Sequence, residues 1–165
     1  MKWQGMAVAA AIVAATALPS ASAIAYADPV APQADSACPL DVANAMTFTP
    51  DGQTPLICQP AAGYRWQPLA SPFNPSSRWF SYGRELRLHG EGLRNPEIRS
   101  GDWMAVPQDA DSQCTAEQVA VVYAGVVTPP QVSAGAKGQQ LSFQVLPKLF
   151  SIKLSGNCLW TKAGA

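Results

Sequence analysis

The chain predicts an all-β protein: a small disulfide-stapled β-sandwich or barrel-like domain, preceded by a short disulfide-closed hairpin module. Three observations carry that expectation. Leu141 to Val145 and Phe150 to Ser155 alternate apolar and polar residues with period two, the pattern of strands that bury one face each. With 15 prolines, 12 glycines and only 13% charged residues, the composition suits a loop-rich β domain better than a helical bundle. Four cysteines, Cys38, Cys58, Cys114 and Cys158, supply an even set for covalent staples in a chain that opens with an export signal.

The export signal occupies residues 1 to 27. Lys2 gives a short positive start, and Met6 to Leu18 is uncharged and almost wholly apolar. Pro19 ends that run well short of the roughly 20 residues that a spanning helix needs. Small residues follow, with two A-x-A cleavage sites ending at Ala23 and Ala27. Cleavage after Ala27 is expected, because it leaves the acidic start Asp28-Pro29 and not the apolar Ile24. No membrane span remains after that cut. The first cysteine, Cys38, follows Asp35-Ser36-Ala37, a context unlike that of a lipid-modified cysteine.

A leader of 27 residues removed from 165 leaves 138, enough for one domain of ordinary size or two very small modules. Lys2 is the one charge lost, so 11 acidic side chains face ten basic ones, a net of about −1 with His89 neutral. That balance argues against nucleic acid as a partner, and there is no basic tail or acidic run for a polyelectrolyte or a charged membrane surface.

Residues 28–37 are rich in Pro and Ala without apolar periodicity and are expected to form a disordered arm. Residues 38–68 form the hairpin module. Asp51-Gly52 signals a turn, and Thr54 to Cys58 and Tyr64 to Gln67 read as strands joined by the Gln59 to Gly63 loop. Residues 69–83 carry two prolines, four serines and four aromatics, the composition of a linker that packs on something.

The main β domain is expected over 84–162. Leu86 and Leu88 alternate with Arg87 and His89 as a half-buried strand, and Gly90 to Gly92 turns the chain. Asp102 to Val106 is the next strand. Glu117 to Val127 is rich in β-branched residues, although its length also suits a helix. A Pro- and Gly-rich loop over 128–138 leads to the two alternating strands, and Gly156-Asn157 turns into Cys158-Leu159-Trp160.

Three connectivities are open to four cysteines. Cys38 with Cys58 and Cys114 with Cys158 is expected, because each pair then lies within its own module. The rival reading is a four-cysteine metal site, but the chain holds no C-x-x-C pair. No cofactor is expected.

The run Glu97 to Trp103, then Cys114, the strand Gln140 to Val145, and the ending Ser155-Gly156-Asn157-Cys158-Leu159-Trp160 resemble a small domain of secreted actinobacterial proteins. In that family a D-I-x-P-G-T-Y strand is followed by a cysteine and closes on S-G-C-x-W. Ser100 stands where the family has proline, Trp103 near its tyrosine, and Asn157 adds a residue before the last cysteine. Asp51-Gly52-Gln53-Thr54 through Cys58 to Trp66 is likewise similar to a hairpin that accompanies exported proteins of those bacteria, and Ala27-Asp28-Pro29 looks like a mycobacterial export junction. The resemblance covers about half of the exported chain. It implies an all-β fold, the Cys114 to Cys158 bridge and a cell-envelope setting, and it assigns no activity.

His89 is the single histidine, and Glu91 is its nearest carboxylate by sequence. A general base needs an oriented partner and a nucleophile, so a solvated histidine on a charged strand is the simpler reading. The window from Arg78 to Arg99 concentrates arginines and aromatics, the residue types favoured at binding hot spots. Arg78, Trp79, Tyr82, Arg84, Arg87 and His89 are therefore the expected binding residues. The plainer alternative is a solvated strand whose arginines are neutralised by Glu85, Glu91 and Glu97. Trp66, Trp103 and Trp160 are expected in the core. The function these features favour is a non-catalytic exported protein that binds, or serves as a structural component, at the cell envelope. Its partner would be a glycan, a glycolipid or a protein. The alternative is an envelope hydrolase that uses acidic residues.

Overall fold

The computed structural model describes residues 30–164, so the export signal and cleavage site expected from the sequence lie outside the described residues. Among these residues the fold is all-β apart from one 3-10 turn, Leu40–Val42. Twelve strands form two sheets: β1 (Met46–Phe48), β2 (Pro55–Pro60), β3 (Tyr64–Pro68), β4 (Arg78–Tyr82), β5 (Leu86–His89), β6 (Gly101–Pro107), β7 (Thr115–Tyr123), β8 (Val126–Val127), β9 (Gln131–Ala134), β10 (Leu141–Val145), β11 (Leu149–Ser155) and β12 (Asn157–Lys162). The larger sheet runs β10-β6-β12-β4-β1-β2-β3, and the smaller runs β5-β11-β7-β8 with β9 also paired to β7. Every pairing between strands is antiparallel except that of β1 with β4.

The alternating segments dictate how the sheets meet. Leu86 and Leu88 of β5, Ile152 and Leu154 of β11 and Ala116 of β7 face Trp79, Trp103, Ala105, Trp160 and Val145 of the larger sheet, and all are buried. This is the sandwich core. Trp79, Trp103 and Trp160 are its largest side chains, and two of the three are anchored at their polar ends. Trp160 Nε1 donates to Ser81 Oγ at 2.7 Å, and Trp103 Nε1 donates to the Arg99 carbonyl at 2.9 Å.

The larger sheet is covered on its other face as well. There Phe80 and Tyr82 of β4, Leu159 of β12, Leu56 of β2 and Trp66 of β3 pack with Val42 and the Cys38–Cys58 bridge. Residues 69–83 therefore act as more than a linker: β4 lies at the middle of the larger sheet and joins the hairpin strands to the rest, so residues 38–68 and 84–162 share one sheet. A central strand buried on both faces shows no polar alternation, which is why Arg78–Tyr82 does not read as a strand.

Three further differences follow from pairing. The arm expected to be disordered is held along β3 from Asp35 to Cys38: Asp35 N–H donates to Trp66 O, Trp66 N–H to Ser36 O, and Cys38 N–H to Tyr64 O. Glu117 to Val127 is neither a helix nor one strand but the β7–β8 hairpin. The Pro- and Gly-rich loop contains β9, which pairs with Thr115 to Gln118.

Both disulfides join the expected partners. Cys114 precedes β7 in the smaller sheet and Cys158 lies on β12 in the larger, so this bridge ties the two layers. Closed disulfides of this kind form in an oxidising, extracellular type of compartment. No helix among the described residues is long and apolar enough to cross a membrane.

Candidate functional site

A groove of about 510 Å³ opens where the β1–β2 turn approaches the end of β4 and strand β5. One wall is the turn Thr49 to Thr54. Its sequence explains its shape, because Gly52 takes the left-handed backbone (φ +73°) and Asp51 closes the bend with its side chain. The Thr49 hydroxyl donates to Asp51 Oδ1, which also accepts the Gln53 N–H at 3.1 Å. These bonds to the ionised form hold the Asp51 carboxyl below the usual aspartate range, the Thr49 hydroxyl most of all.

The turn is fastened to the far end of β4. Arg84 Nη1 donates to Pro50 O at 2.6 Å, and the Tyr82 hydroxyl donates to Phe48 O at 3.3 Å. Burial raises the Tyr82 phenol above its ordinary range, against the opposing effect of the Arg84 charge. The opposite wall is β5, whose Arg87 and His89 point outward because Leu86 and Leu88 point in. Glu97 completes it: its Oε2 accepts the His89 backbone N–H at 2.8 Å and lies 3.4 Å from His89 Nδ1. Arg87 pairs with Glu85 at 3.1 Å. Phe48 and Phe73 supply an aromatic floor, their ring centres 6.5 Å apart.

Four of the six expected binding residues, Tyr82, Arg84, Arg87 and His89, line this groove. Arg78 and Trp79 lie elsewhere. Trp79 is fully buried between the sheets, stacked on Phe48 at 5.8 Å, and Arg78 Nη2 donates to Asp41 O at 2.6 Å on the opposite face of β4. The partner of His89 is Glu97 and not Glu91, whose carboxylate instead accepts the Ser100 hydroxyl. The chain turns at Gly90 directly after β5, carrying Glu91 away and returning Glu97 alongside His89.

Asp51, Gln53, Phe48, Phe73 and Glu97 were not evident as site residues. The Asp51-Gly52 turn signal marked one wall, but nothing in the sequence placed it against β5. Among the described residues no group of three or more His, Cys, Asp or Glu side chains is arranged to hold a metal ion.

A second cavity of about 620 Å³ lies on the opposite face of the larger sheet, between Ala31 to Pro39 and the Trp66 and Phe80 rings. Its lining is mostly apolar. The groove beside β5 is the better candidate because it gathers hydrogen-bond donors and acceptors from three separate parts of the chain.

No family model, no curated protein and no solved structure matches the chain.

Proposed function

We propose that the protein is exported and acts at the cell envelope by binding a glycan in the groove between the Thr49–Thr54 turn and β5. The single observation that carries this reading is that the groove's acidic and basic side chains nearly balance, Asp51, Glu85 and Glu97 against Arg84 and Arg87, and that each is already held by contacts within the protein. Arg87 has Glu85, His89 has Glu97 and Arg84 is spent on the Pro50 carbonyl, while Gln53 and Asp51 stand beside them. Such a surface offers many hydrogen bonds and little net field, which favours a neutral hydroxylated ligand over an anionic glycolipid. The Phe48 and Phe73 rings give the carbon faces of a sugar an apolar surface to lie on. The volume matches that of an ordinary small-ligand site. The leader over residues 1–27 and the disulfides support the envelope setting.

The test is sedimentation with purified envelope polysaccharide. The oxidised protein should co-sediment with it, and Gln53→Ala with Arg87→Ala should lower the bound fraction while leaving thermal unfolding unchanged. Equal sedimentation of the parent and the variant would sink the reading.

A second reading, hydrolysis by acidic residues, is favoured by the three carboxylates Asp51, Glu85 and Glu97 on the same groove. Asp51 is held ionised by Thr49 and Gln53, so proton donation would fall to one of the glutamates. Release of reducing ends from the polysaccharide, abolished by Glu97→Gln, is the result that would establish it.

A further inference from the structure

The smaller sheet ends in a hairpin that the groove does not use. Gln118 to Ala136 contains no charged residue, whereas Glu117 and Lys137 flank it on either side. Strand β11 pairs with β7 only as far as Ala120, and Val121 N–H still donates to Lys148 O beside it, so Val122 to Val127 project past the neighbouring strand as the tip of the β7–β8 hairpin. Within that tip Val122 is 54% exposed, Tyr123 65%, Val126 36% and Val127 43%. A bulge at Val122 sets Tyr123 opposite Val126 and Val121 opposite Val127. Gly125 turns the chain at φ +77° with open space around it. Val132 and Phe150, on the adjoining strands β9 and β11, are also exposed.

We infer that this hairpin is an interfacial lipid anchor, with Val122, Tyr123, Val126 and Val127 seated among the headgroups and upper acyl chains of a bilayer. Three features select a lipid surface over a second copy of the chain. From the fractions above, the four side chains offer roughly 400 Å² of accessible surface, about half of what each partner of a stable dimer contributes. Pairing of edge strands is blocked, because β8 has two residues and Thr128-Pro129-Pro130 interrupts the edge before β9. The tip is also uncharged, so it complements an apolar medium and offers no ionic contact to a protein surface. Tyr123 has the form favoured at a membrane interface, an apolar ring with a polar end. The anchor differs from a basic amphipathic helix in requiring no anionic lipid.

The test is vesicle flotation of the oxidised protein with phosphatidylcholine vesicles, with and without added phosphatidylglycerol, at low and high salt. Flotation with phosphatidylcholine alone, unchanged by salt, is expected. Tyr123→Ser with Val126→Ser should lower the partition coefficient at least about tenfold, since binding scales with the apolar area inserted. These side chains are exposed, so circular dichroism and the unfolding midpoint should not change. Tyr123→Trp should show a blue-shifted emission on adding vesicles. The inference is overturned if the parent does not float, if the serine variant floats equally, or if flotation needs phosphatidylglycerol and fails in salt. It is also overturned if sedimentation equilibrium shows a dimer that the serine variant loses.

Discussion

Removing the bridge between the layers should cost more than removing the bridge within the hairpin. Cys114 and Cys158 are 44 residues apart, and Cys38 and Cys58 are 20 apart. Restriction of the unfolded chain scales with the logarithm of the loop, giving about 4 kcal/mol for the first bridge and about 3 kcal/mol for the second. Cys114, Cys158 and Cys58 are fully buried and Cys38 nearly so, so alanine is the replacement that adds no buried polar atom. At about 2.1 cal/mol/K per residue, the unfolding entropy of a domain of this size turns those costs into Tm losses of about 14 °C and about 11 °C. The two loops do not overlap, so the losses should add to about 7 kcal/mol in the quadruple variant, within the whole stability of an ordinary domain. Urea unfolding of Cys114→Ala/Cys158→Ala, of Cys38→Ala/Cys58→Ala and of the quadruple variant measures all three. A cross-layer loss under about 1 kcal/mol, or a larger loss from the hairpin pair, would refute the assignment of Cys114–Cys158 as the main staple.

Three other perturbations probe single contacts. Gln118 is buried and spans the two layers, donating to Gln144 O at 2.8 Å and accepting from Leu146 N–H at 3.1 Å, so Gln118→Leu should cost about 1–3 kcal/mol in denaturant unfolding. Gly156 combines φ +98° with a contact in which an added Cβ would strike the Gln113 carbonyl, so Gly156→Ala should cost about 2–4 kcal/mol by the same measurement. Asp51 and Asp109 both have carboxyls held below the ordinary value of 3.8, through hydrogen bonds led by the Thr49 hydroxyl and the Asn157 amide respectively. A depressed folded value contributes stability that is present above 3.8 and is lost as pH falls through the folded value, so the protection of amides in the Thr49–Thr54 turn, measured relative to intrinsic exchange at each pH, should fall in that acid range and should show no such step in Asp51→Asn.

How much of this was legible depends on how local each feature is. Leu86–His89 and Leu141–Val145 are strands with the bounds that alternation gives, and Leu149–Ser155 differs by one residue, because a single buried face imposes period two on the chain. The disulfides were legible from the placement of the cysteines. Arg78–Tyr82 was not, since both of its faces are buried and its run of aromatics carries no alternation. Met46–Phe48 is too short to stand out, and Gln131–Ala134 is a strand only because β7 lies beside it. For the same reason half of the groove was hidden. Arg84, Arg87 and His89 are near neighbours in sequence, whereas Asp51 and Gln53 reach them through the hydrogen bond of Arg84 to Pro50 O, which spans 34 residues. Proximity in sequence points to Glu91 as the partner of His89, whereas the turn after Gly90 supplies Glu97 in its place.

Glycan binding in the groove is tested most directly by following backbone amide resonances of the isotopically labelled, oxidised protein during titration with soluble fragments of the envelope polysaccharide. Saturable shifts concentrated at Thr49 to Gln53, Arg84 to His89 and Glu97 are the predicted result. Absence of shifts, or shifts confined to the Val121–Val127 hairpin or to the cavity beside Trp66, would contradict the account.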